Sequence, residues 1–182
     1  MSMKIHLIHR ALTIALTLLL FAAGPSKAAG IEPFFGTFEG TVEFEENGRT
    51  ERRDMSAVIA ETRQGFSISW TSVTYKSDGR TKEKTYTVEF LPSQRDNIYA
   101  SAMKANVFGK QVPLDPLRGE PFVWARIVNE TLSLFSLFIN EAGDYEMQEY
   151  HRTLADGGLD LEFRRMRNGA EVRAITTFLK RQ

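Results

Sequence analysis

The sequence predicts an all-β domain, an antiparallel up-and-down meander that closes into a barrel of eight to ten strands behind an N-terminal signal peptide. Three observations carry this reading. Apolar and polar residues alternate with a period of two in run after run. The runs are joined by short turn sequences such as Asn47-Gly48, Ser77-Asp78-Gly79-Arg80 and Asn168-Gly169. Nothing between Ile31 and Gln182 shows a long helical period. Short loops favour antiparallel neighbours, and a long sheet of such strands closes to remove its edges. A two-sheet sandwich is the alternative architecture.

The first 28 residues read as a targeting segment. Lys4 and Arg10 give a positive start, Ala11–Ala23 is an uninterrupted run of apolar residues and Thr, and Gly24-Pro25 breaks it. Ser26-Lys27-Ala28 places small residues at the −3 and −1 positions of a cleavage site. The apolar run is shorter than the roughly 20 residues that span a bilayer, so the expected mature chain is Ala29–Gln182, not membrane-spanning, as one domain. The expected location is periplasmic or secreted, and the absence of cysteine fits a bacterial periplasm better than an animal extracellular space. Loss of Lys4, Arg10 and Lys27 leaves 20 basic against 23 acidic residues. That surplus argues against a nucleic-acid partner.

The first strand, within Phe35–Phe44, sets the register. Phe38, Gly40, Val42 and Phe44 share one face, while Thr37, Glu39, Thr41, Glu43 and Glu45 share the other. Asn47-Gly48 turns the chain into Arg49–Thr62, where Met55, Ala57 and Ile59 are apolar and charge gathers at the start. Gln64-Gly65 leads to a third strand with Phe66, Ile68 and Trp70 on one face. After Ser77–Arg80, Lys82–Leu91 carries Tyr86, Val88 and Phe90 on one side and Thr85, Thr87 and Glu89 on the other. Ile98–Lys104 is a shorter fifth strand.

Regularity lapses over Ala105–Pro121, where Pro113, Pro116, Gly119 and Pro121 interrupt any central strand. A loop of this length is a lid or a mobile segment, with Val107–Val112 as a strand fragment inside it. Phe122–Val128 and Leu132–Ile139 form a hairpin around Asn129-Glu130 in which both faces are apolar. Such strands are covered on both sides, here by the barrel and by a loop or terminal segment, or they present a patch to a partner. Tyr145–Leu154, Leu159–Arg167 and Ala170–Lys180 complete ten strands, with Leu159, Leu161 and Phe163 on one face of the second of these.

Phe35-Gly36-Thr37-Phe38-Glu39-Gly40 resembles the opening of lipocalin and related calycin barrels, where Gly-x-Trp begins the first strand. Gly36 matches the glycine and Phe38 stands in place of the Trp. The resemblance implies an Arg from the last strand lying over that aromatic, with Arg173 as the expected match, and a cup for a small apolar ligand. Candidate lining residues, from the apolar faces, are Phe38, Val42, Met55, Ile59, Phe66, Ile68, Trp70, Tyr86, Val88 and Phe90. A filled core uses the same residues.

No catalytic or cofactor motif is present, and the expectation is a binding protein rather than an enzyme. His151, in Glu149-Tyr150-His151-Arg152, is the only histidine beyond the signal. It could ligate heme iron as in nitrobindin-like barrels, but their glycine-rich opening differs from Gly36–Gly40, and a zinc site would lack a second histidine or a cysteine. Glu39, Glu43 and Glu45 point to water, and Glu89, Glu149 and Glu162 have no evident partner for acid–base work. No Gly-x-Ser-x-Gly turn serves a triad. Arg164, Arg165 and Arg167 near Asn168-Gly169, with Arg173 across the hairpin, read as an open barrel end or as a fork for a ligand carboxylate. Asn129-Glu130-Thr131 matches a glycosylation acceptor but serves as a turn. An outer-membrane barrel is disfavoured because the apolar faces show only weak aromatic girdles. The alternative function is a cell-envelope interaction module using the Phe122–Ile139 hairpin.

Overall fold

The computed structural model describes residues 30–46, 48–101, 104–105, 111–112 and 114–182. The signal segment, the cleavage position at Ala28, Asn47 and much of the expected lid lie outside the described residues. Twelve strands follow in order: β1 (Gly36–Glu46), β2 (Arg49–Glu61), β3 (Phe66–Tyr75), β4 (Thr81–Pro92), β5 (Ile98–Ser101), β6 (Lys104–Ala105), β7 (Gln111–Val112), β8 (Phe122–Val128), β9 (Thr131–Ile139), β10 (Tyr145–Ala155), β11 (Gly158–Arg167) and β12 (Ala170–Arg181). Ten of them close a barrel in the order β1-β12-β11-β10-β9-β8-β5-β4-β3-β2, while β6 and β7 pair with each other. All pairs are antiparallel and the meander is unbroken. This ten-stranded arrangement is compatible with a calycin-like fold. The sandwich is set aside by the closing β1–β12 pair.

The turns form where left-handed backbone is cheapest. Asn168 and Gly169, with φ of 49° and 81°, join β11 to β12 as the two central residues of a hairpin turn, and Gly79 (φ 82°) sits in the β3–β4 turn. Most side chains there have no room for positive φ, whereas Gly has no Cβ to clash and Asn tolerates it.

Alternation then sorts residues in and out. Phe38 opposes Ala57, Ile59 opposes Ile68, and Ile68 opposes Val88, so one set of apolar positions faces inward around the ring. At the end where β1 begins, Phe34 from the 3₁₀ turn Glu32–Phe34 enters the barrel. It joins Phe38, Ile59, Phe66, Ile68, Phe90, Leu132, Leu159 and Leu179 in a solid floor. Phe66 stacks on Phe90 with centroids 5.1 Å apart and meets Tyr99 edge-on at 5.0 Å. Each such side chain contributes about 1.5–3 kcal/mol of transfer free energy. This floor is the main source of cohesion in a chain without disulfides.

Closure is narrow at two places. β1 pairs with β12 only through Phe38↔Arg181 and Glu39↔Lys180, close to the floor. β4 pairs with β5 only through Phe90, Leu91 and Pro92, so no described strand pairs with Thr81–Glu89 on that side. The barrel is therefore tight at one end and splayed at the other.

Arg181, not the expected Arg173, covers the first-strand aromatic. Its guanidinium lies 4.5 Å from the Phe38 ring and donates to the backbone oxygens of Pro33 and Phe35. Arg173 instead lies over Phe44, 5.4 Å from its ring, at the other end. The difference is the depth at which β12 meets β1, which alternation does not specify.

Candidate functional site

Above the floor the inward positions stop filling the ring, and a cavity of about 520 Å³ opens. Its lower wall is apolar, from Ala57, Leu161 and Leu179. A belt of aromatics follows. Trp70 on β3 stacks on Tyr86 of β4 at 5.5 Å and tilts against Tyr150 of β10 at 5.6 Å, and Tyr150 in turn meets Phe163 of β11 at 4.8 Å. Each belongs to an inward position of its strand, so the belt follows from the register: Trp70 opposes Tyr86, and Tyr150 opposes Phe163.

The expected lining residues divide by depth. Met55, Trp70 and Tyr86 line the cavity. Phe38, Ile59, Phe66, Ile68 and Phe90 do not; they are fully buried in the floor. Val88 packs against that core, and Val42 is half-buried on the inward face of β1 without reaching the cavity wall. The reason is geometric, because a period of two assigns a face but not a height along the barrel axis.

The cavity also holds inward polar residues that apolar patterning passes over. Arg53 of β2 donates from Nε to Thr74 Oγ1 at 2.9 Å, and its guanidinium lies 4.6 Å from the Phe44 ring. Burial lowers its pKa, opposed by Glu51 and Tyr150. On β10, Glu146, Gln148, Tyr150 and Arg152 all face in. Tyr150 Oη donates to Gln148 Oε1 at 3.1 Å, and Gln148 Nε2 donates to Glu146 Oε1 at 2.8 Å. Glu146 also accepts from Arg165 Nη2 at 2.6 Å. Burial pushes the Glu146 carboxyl up, but hydrogen bonds from Arg165 and Gln148 outweigh it and hold the group below its ordinary value. Burial raises the Tyr150 phenol to about 12 against the nearby Arg152 charge, so it is neutral at physiological pH. The signal for this set was present as Glu146-x-Gln148-x-Tyr150-x-Arg152, a polar alternation in a strand whose other face is also polar.

His151 points the other way, outside the barrel. Its Nδ1 is 2.8 Å from Ser133 Oγ and its Nε2 is 3.3 Å from Glu149 Oε2, and its ring stands edge-on to Phe135. These are the three residue types of a nucleophilic relay. Ser133 is only 4% exposed and sits in mid-strand, with its backbone in the ladder between β8 and β10. Heme bound in the cavity would not reach His151. Among the described residues no three His, Cys, Asp or Glu side chains gather where they could hold a metal ion. Glu149 and Glu162 lie outside with it.

The Arg164–Arg167 group is split by the pleat. Arg165 faces the cavity, while Arg164 lies outside and pairs with Glu171 at 2.8 Å. On the outer face of the β8–β9 hairpin Trp124 stacks on Phe135 at 5.0 Å, Phe122 adjoins Trp124, and the 3₁₀ turn Pro116–Arg118 packs against β9. Both faces of this hairpin are thus apolar, the inner one through Val123, Ala125, Ile127, Leu132 and Leu134.

No protein-family model matches the chain, and neither does any curated protein sequence.

Proposed function

We propose that this barrel is an exported carrier or sensor of a small amphipathic molecule, held in the cavity above the packed floor. The observation that carries the reading is the unfilled middle of the barrel. Ten strands enclose about 520 Å³, within the range of small-molecule sites, and its walls combine an aromatic belt with a few placed polar groups. The floor already supplies a core, so the belt is not needed to complete one. Export rests on the n-region, apolar run and Ser26–Ala28 pattern.

The test is native mass spectrometry of protein purified gently from its own compartment, followed by solvent extraction. A discrete added mass that is lost in Trp70→Asp supports the reading. An adduct-free mass in every preparation, together with no binding from a panel of small amphiphiles, removes it.

A second reading is favoured by the Trp124–Phe135 stack on the outer face, with Phe122 beside it 37% exposed. Here the hairpin docks on another envelope protein. Phe135→Asp should then leave the barrel folded and abolish the association, and an unaltered association would count against it.

A further inference from the structure

Among the described residues Arg152 is the largest fully buried side chain, with 2% exposure, and it lines the cavity close to the floor. Its neighbours across the sheet are Leu132 and Leu161, both apolar. Its Nε and Nη1 have no hydrogen-bond partner, and no carboxylate acts on it. The nearest ring is Tyr150, 5.4 Å from Cζ. Burial lowers its pKa to about 10, which still leaves it cationic at neutral pH. An unpaired buried cation is strongly unfavourable, and such groups persist where something else supplies the counter-charge.

We infer that the ligand is a monocarboxylate with an apolar or aromatic body, bound head-down with its carboxylate on the guanidinium of Arg152. This rests on the cavity reading above and narrows it. A guanidinium with N–H groups left unpartnered has donors to spare for a carboxylate, which accepts charge-assisted hydrogen bonds. One guanidinium at this depth, without a second cation acting on it, balances one negative charge and not two. The aromatic belt of Trp70, Tyr86, Tyr150 and Phe163 lies above it, where the body of the ligand would rest. The mouth adds a bias of the same sign. The cavity lining carries seven Lys and Arg side chains against two carboxylates, although the whole chain is balanced at 23 of each. An anion is therefore drawn in, and a cation is disfavoured.

Titration calorimetry at pH 8.5, where a phosphonate is a dianion, with 4-phenylbutyrate, its neutral isostere 4-phenylbutyramide and 3-phenylpropylphosphonate, all with the same three-carbon tether, tests this. The carboxylate should bind the wild type at least tenfold more tightly than the amide, with the phosphonate no tighter than the carboxylate. Arg152→Met should bind carboxylate and amide alike, near the wild-type amide affinity, which also reports an intact cavity. Equal wild-type affinity for carboxylate and amide, or discrimination that survives Arg152→Met, overturns the carboxylate assignment and leaves the cavity reading standing. Tighter binding of the phosphonate overturns the monoanion class. Failure of all three probes, together with an adduct-free native mass, overturns the cavity reading and this inference with it.

Discussion

Arg152 and Phe38 show how one alternating pattern places quite different side chains inside the same barrel. Phe38 is buried among aromatics, with Arg181 over its ring, and gains from both. Arg152 is just as buried and has no charge to face. Left unpaired, it is a source of instability. Arg152→Met, similar in length and apolar, should raise stability by about 1–4 kcal/mol, read as a higher urea midpoint with an unaltered m-value. A lower midpoint would mean that Arg152 holds the fold together. The sequence shows why it escapes notice. The Phe38 position is legible from Phe-x-Gly-x-Val-x-Phe, but Arg152 lies in a strand polar on both faces, where only the neighbouring strands reveal which face is inner.

At the scale of the element, β10 and β11 carry the most informative chemistry. Glu146 is held below its ordinary carboxyl value in the folded state, so its contribution is complete above the unfolded value near 4.5 and is lost as pH falls through the folded one. Stability should therefore fall with acid over that range. Glu146→Gln should cost about 1–2 kcal/mol at pH 7 and flatten the acid dependence, as checked by urea midpoints from pH 7 to pH 3. An equally steep slope in the variant would assign the acid sensitivity elsewhere. The strands themselves were largely legible. Asn168-Gly169 and the Ser77–Arg80 turn stand where hairpin chemistry puts them, and the apolar faces of β1, β2 and β3 follow from period two. The heights of those faces were not legible, because height depends on how far each strand slides past its neighbour. Hence five expected lining residues fill the floor and Arg181 takes the place expected of Arg173.

For the whole molecule, closure depends on a short seam between residues far apart in the chain. At Gly40 a Cβ would lie 2.4 Å from the Phe178 backbone oxygen and 2.8 Å from Leu179 Cδ2, so β1 and β12 meet only because that position is bare. Gly40→Val should cost about 1–3 kcal/mol and speed hydrogen exchange of β1 and β12 amides near the seam, while β8–β9 amides keep their protection. Unchanged exchange at Phe38–Gly40 would show that another contact closes the ring. The same architecture explains why the cavity lies where it does: the ring is complete around the floor, and above it the strands diverge.

That divergence also leaves Thr81–Glu89 of β4 without a described partner on one side, and an unpaired strand invites the backbone of another molecule. The run Lys82-Glu83-Lys84 places charge on both faces of that edge, so a docking strand would have to desolvate it. Lys82 and Lys84 also line the cavity, so the same two side chains guard the edge and add positive charge to the cavity wall. Replacing Lys82 and Lys84 with Thr should increase concentration-dependent association in light scattering relative to the parent, and equal scattering would show that these lysines do not protect the edge. The charge that guards the β4 edge and the charge of the cavity wall thus rest on the same side chains, and selection on either one constrains the other.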